Sequence, residues 1–149
     1  WPDADLRITT VDAVSGELRV FARGDAATLV EAVAASSAVP LSSLPVLIGG
    51  HHYMDGGMRS TVNLDLAPGR GPVIALAPST ASITPWARLA RQRAALGPTR
   101  TVEILEPDAA SRHARGRDVM NFAAVPQLMA AALQQGRREA VRIAAALGT

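Results

Sequence analysis

Residues 51–60, HHYMDGGMRS, bring three side chains able to do chemistry close together: His51, His52 and Asp55, the last followed by Gly56 and Gly57. Imidazoles and a carboxylate this near one another first suggest a metal site. Adjacent residues on a strand point to opposite faces, so His51 and His52 do not readily share one ion. The remaining histidine, His113, lies among Arg112, Arg115 and Arg117, a group that fits a solvated loop or helix end, and no metal is expected. A Ser-His-Asp triad is the second possibility. It needs a serine on a sharp strand-to-helix turn, usually within G-x-S-x-G, and the chain contains no such motif. Ser36 and Ser37, at a helix end in AASSAVP, read as capping or packing residues.

Asp55 then has two readings. Aspartate and glycine are among the commonest turn residues, so Asp-Gly-Gly alone fits a simple turn. A carboxylate at a strand exit, followed by glycines that permit close backbone approach, also fits a catalytic base. The surrounding elements have to decide between them.

Those elements alternate between strand and helix. LRITTVD (6–12) and ELRVFA (17–22), joined through Ser15 and Gly16, predict a hairpin. Asp25 is placed near the N-cap of a helix over TLVEAVAAS, with Leu29, Val30, Val33 and Ala34 at helical spacing and a stop before Pro40. A proline-bounded loop, LSSLP, leads into a short strand, VLI (46–48). PVIALAP (72–78) reads as a strand buried on both faces, and TVEILEP (101–107) as a further strand. WARLARQRAAL (86–96) between them is helical and ends at Gly97 and Pro98. Near the C-terminus Val125, Leu128, Met129, Ala132, Leu133, Gly136, Ala140, Ile143, Ala144 and Leu147 align on one face, predicting a core-facing amphipathic helix. Strands separated by helices indicate an α/β layered fold.

Composition narrows the function classes. At 149 residues and 48% apolar content, one globular domain is the default. There is no cysteine, which excludes disulfides and thiolate chemistry. All 15 basic residues are arginines, yet the net charge is only +2 and aromatics are 3%. That scattered charge does not make a nucleic-acid surface, so no nucleic acid is expected as partner. The sequence has no apolar run of the length a membrane span requires and no signal-peptide pattern, so a soluble protein, cytoplasmic or peripheral to a membrane, is expected. The chain opens on Trp1 with a strand close behind, and it reads as the later part of something longer.

The ordered series LRITTVD, SGELRVF and LVEAVAASSAVPLSSLPVLIGGHHYMDGGMRSTVNLDLA resembles the second half of a patatin-like phospholipase domain, over about residues 6–67. Three elements match in order: AxAASSAxP at 32–40, the proline loop and strand after it, and DGG followed by Asn63. The resemblance implies a layered α/β sheet with flanking helices, present here as its later half, within a single domain over 1–149. It also implies a serine acyl hydrolase with a Ser-Asp dyad, in which Asp55 matches the general base to a serine in GxSxG. Such a dyad needs the carboxylate hydrogen-bonded directly to the serine hydroxyl and partly shielded from water, since shielding strengthens a carboxylate as a base.

Other implications are lipid or simple ester substrates, peripheral membrane contact and no cofactor; scattered acids such as Asp3, Asp5, Asp12, Asp65 and Asp108 form no calcium loop. The chain departs from the family in lacking both the nucleophile motif and the glycine-rich loop of oxyanion donors that normally precede this region. Without them the polypeptide alone is expected to be inactive. The missing N-terminal segment is then its expected partner, and a remnant serving as a binding or structural module is the alternative.

Overall fold

The computed structural model describes residues 1–79, 84–118 and 121–148. It is a mixed α/β structure whose chain divides into two compact units, Trp1–Asn63 with Ala81–Gln92, and Leu64–Thr80 with Arg93–Thr149.

The first unit is built on a four-stranded antiparallel sheet of β1 (Ile8–Asp12), β2 (Leu18–Phe21), β3 (Val46–Ile48) and β4 (His51–Asp55), in the order β2-β1-β4-β3. The expected hairpin is β1–β2, with Val11 opposite Leu18 and Ile8 opposite Phe21. Asp12 stabilises its turn, Oδ1 accepting from the Val14 and Ser15 N–H groups, each at 2.9 Å. These two bonds, with the nearby His51, hold the Asp12 carboxyl below its ordinary range. Helix α1 (Leu29–Ser36) lies against β1, β3 and β4. Its buried residues are Ala32 and Ala35, packed with Phe21, Ala27, Ile48 and Tyr53 into the core. The Phe21 and Tyr53 rings meet edge to face at 5.1 Å between centroids.

Two sequence expectations for α1 change. Its N-cap is Thr28, which forms a reciprocal capping box with Glu31. Asp25 instead accepts from the Ala22 N–H at 2.8 Å and pairs with Arg19. The buried face is also rotated: Val30 and Val33 are exposed, because the small side chains of Ala32 and Ala35 let the helix approach the sheet closely. In the segment read as one helix from Trp86, a 3₁₀ turn at Pro85–Ala87 is separated by an extended Arg88 from α2 (Leu89–Ala95).

The second unit contains a parallel pair, β5 (Val73–Leu76) and β6 (Val102–Leu105), with helices α3 (Ala109–Arg115) and α4 (Val125–Leu147) packed on each other. The basic group around His113 forms the last turn of α3, where cations meet the carbonyl end of the helix. Strand β5 is not buried on both faces: Ile74 and Leu76 are exposed on either side of buried Ala75. Nor does α4 face a core with its apolar arc. Val125, Met129 and Leu133 are exposed, while Leu128, Ala131, Gln135, Glu139 and Ile143 are half-buried. Polar groups set this orientation. Gln135 accepts from Asp108 N–H and Ser111 Oγ and donates to Glu106 O, and Arg138 and Arg142 pair with Asp108 and Glu103. No described helix is long and apolar enough to cross a membrane.

Candidate active site

Asp55 ends β4, in the middle of the sheet. Its Cα is opposite Thr10 of β1, and its N–H donates to Ala38 O at 3.1 Å, tying it to the chain that leaves α1. The next three residues, Gly56–Met58, form a single 3₁₀ turn capped by Asp55, whose Oδ1 accepts the Gly57 N–H at 2.6 Å. That is the only hydrogen bond to the carboxylate among the described residues, so Oδ2 is left open to a further donor. The side chain is half-buried.

The two glycines do different work. Gly56 is buried against β1, where an added Cβ would stand 2.4 Å from Thr9 O and 2.6 Å from Thr9 Oγ1. Gly57 is exposed, and a Cβ there would meet only the Asp55 carboxylate, at 2.9 Å from Oδ1. Neither glycine has a positive φ, so both requirements are steric.

Beyond the turn the backbone is held by side chains. Asn63 adopts a left-handed φ of 50°, and its Nδ2 donates to Gly56 O at 3.1 Å and Ser60 O at 2.8 Å, while Oδ1 accepts from Arg59 at 2.8 Å. Asparagine tolerates that conformation better than most residues. The sequence flags Asn63 through its place after DGG, but it carries no local signal for Ser60 or for Gln92, which reaches Ser60 from α2.

His51 and His52 are both exposed and point to opposite faces of β4. His51 shares a face with Asp55, yet four residues of strand separate them by about 13 Å. Its Nδ1 lies 3.2 Å from Asp12 Oδ2, a pairing across β1 and β4 that the sequence does not announce. Among the described residues no three ligating side chains converge as a metal site requires.

No described serine is hydrogen-bonded to Asp55. Ser60 is nearest in sequence, but it is 3% exposed and its Oγ already accepts from Val62 N–H, Asn63 N–H and Gln92. A buried hydroxyl saturated in this way does not reach a substrate. In the loop after α1, Val39, Leu41 and Leu44 are exposed, as is Met58 just after the glycines.

The family model of the patatin-like phospholipases matches residues 1–68. The match covers a little under half of the 149 residues and supports the family at that level; lipid acyl hydrolysis and lipid substrates are properties of the family. The matched span contains all four strands of the first unit as well as Asp55, Gly56, Gly57 and Asn63. No curated protein sequence matches the chain.

Proposed function

We propose that these residues are the later part of a single patatin-like hydrolase domain, and that Asp55 is the general base of a Ser-Asp dyad acting on lipid esters. The serine and the oxyanion donors are then carried on a segment outside the 149 residues, since the chain has no G-x-S-x-G.

The observation that carries this reading is the state of the carboxylate. Oδ1 is fixed by one backbone N–H, while Oδ2 accepts no hydrogen bond among the described residues and sits at a half-buried strand end. A base needs this arrangement, one oxygen anchored and one available. In the reaction Oδ2 would accept the serine proton as Oγ forms its bond to the ester carbonyl carbon. The proton would pass to the departing alcohol, leaving an acylated serine. Asp55 would next deprotonate a water that attacks the acyl carbon, and return the proton to serine as the acid leaves. The exposed Val39, Leu41, Leu44 and Met58 supply the apolar surface that an acyl chain covers. No step needs a cofactor, and residence in the cytoplasm or at a membrane surface suits a lipid substrate.

A second reading has its own support. The bond from Gly57 N–H to Asp55 Oδ1 completes a turn cap without any catalytic role, as a binding or structural remnant would retain it. Asp55→Asn in the complete protein separates the two. Asparagine keeps the cap and loses the base, so ester hydrolysis is expected to disappear with folding intact; retained hydrolysis selects the remnant. His51→Ala and His52→Ala serve as controls and are expected to leave the reaction running.

A further inference from the structure

Behind the aspartate turn lies a polar relay that begins in α2, outside the family-matched residues. Gln92 is 3% exposed, and its Nε2 donates to Ser60 Oγ at 2.6 Å and to Ala87 O at 2.9 Å. Ser60 Oγ in turn accepts the Asn63 N–H at 3.1 Å and the Val62 N–H at 3.3 Å. Asn63 Nδ2 donates to Gly56 O at 3.1 Å. The Gly56 carbonyl and the Gly57 N–H belong to one peptide group, and that N–H holds Asp55 Oδ1 at 2.6 Å. A single peptide plane is thus gripped on one side by Asn63, and on the other it aims the carboxylate.

We propose that Gln92 is a positioning residue for Asp55: its amide seats Ser60, Ser60 seats the backbone of Asn63, and Asn63 fixes the 56–57 peptide that orients the carboxylate. The proposal rests on the reading of Asp55 as the base. Its physical basis is that the first link is buried, where a hydrogen bond is stronger and more directional than in water, and that it seats the part-buried links that lead to the exposed end at Asp55. Gln92 suits the first link because its amide, buried between two acceptors, has little rotational freedom. A carboxylate released from this chain still binds no less substrate, but it meets the serine proton in fewer conformations.

The test uses the complete enzyme with Gln92→Met, which keeps the side-chain length but removes both donors, and Gln92→Glu, which keeps the outline. Loss of kcat by about tenfold to a hundredfold is expected for both, with KM changed by no more than about twofold, because misplacement of a catalytic group acts on the chemical step. Adding Ser60→Ala to Gln92→Met should slow the enzyme little beyond the slower single variant, since both act through one path. Additive losses, or a shared rise in KM with kcat intact, would overturn the relay. Should either variant melt too low for kinetics at the assay temperature, amide exchange of Gly57 in the complete enzyme, measured in the cold against the core amides of β1, gives an independent readout: faster exchange at Gly57 alone is expected, and exchange unchanged there, or raised equally in β1, overturns the proposal. Asp55→Asn run alongside keeps the two ideas apart. Activity in that variant removes the base assignment itself, whereas an inactive Asp55→Asn beside full-rate Gln92 variants removes only the relay.

Discussion

Alanine at Gly56 and alanine at Gly57 add the same methyl group to neighbouring residues, and the structure assigns them opposite consequences. At Gly56 the new Cβ lies 2.4 Å from Thr9 O, about 1 Å inside ordinary van der Waals contact. Thr9 lies within β1, paired with Val20, and its neighbour Thr10 is fully buried opposite Asp55. The clash is with backbone and has no flexible side chain to absorb it. Overpacking of this kind costs about 3 kcal/mol, the upper part of the usual range. For a chain of this size that lowers the apparent melting temperature by roughly 6–12 °C.

At Gly57 the Cβ meets only Asp55 Oδ1, at 2.9 Å, and the exposed backbone has room elsewhere. The carboxylate rotates away, the 2.6 Å bond is lost, and stability changes by no more than about 1 kcal/mol, near the net worth of one hydrogen bond. Catalysis bears the cost instead, with kcat in the complete enzyme falling by about tenfold or more. Thermal unfolding followed by circular dichroism measures the first effect, and ester hydrolysis by the complete enzyme measures the second. A Gly56→Ala chain that melts with the wild type, or a Gly57→Ala enzyme with undiminished kcat, would refute the reasoning.

Two further outcomes are expected. Leu41 holds a left-handed φ of 72° with its side chain fully in solvent, so Leu41→Asn should raise stability by about 1 kcal/mol in urea unfolding; if Leu41 also contacts the acyl chain, the same variant hydrolyses long-chain esters more slowly while short-chain rates hold. Asp108 is held below its ordinary carboxylate range, chiefly by the Ser111 N–H that it caps, and also by the Ser111 hydroxyl and Arg138. A lowered folded value contributes stability above the unfolded value, near pH 4, and loses it as pH falls through the folded one. Asp108→Asn keeps the cap and removes the titration, so the fall in melting temperature below about pH 4 should become shallower; Asp12 and Glu31, lowered in the same direction, preserve part of it.

Much of the first unit was legible in the sequence because its signals are local. Alternating side chains mark the hairpin, Pro40 marks the limit of α1, and DGG marks the strand exit that holds Asp55. The N-cap of α1 was also written locally, as Thr28-x-x-Glu31, although Asp25 offered a competing acid nearby. The packed faces of α1 and α4 were not legible. Periodicity identifies an apolar arc, but Ala32 and Ala35 win against Val30 and Val33 by permitting close approach, and Gln135, Arg138 and Arg142 turn α4 by bonds to distant residues. An apolar run such as VIAL announces burial without specifying what covers it, which is why the expected enclosure of β5 failed. The grip of Gln92 on Ser60 spans 32 positions and has no local signal at all.

The central claim, that Asp55 activates a serine located outside these residues, is tested most directly by fluorophosphonate labelling of the complete protein followed by intact-mass spectrometry and peptide mapping. The account predicts one label, on a serine beyond the 149 residues, and its loss in Asp55→Asn. A label on a serine within this chain, or undiminished labelling of Asp55→Asn, would contradict it.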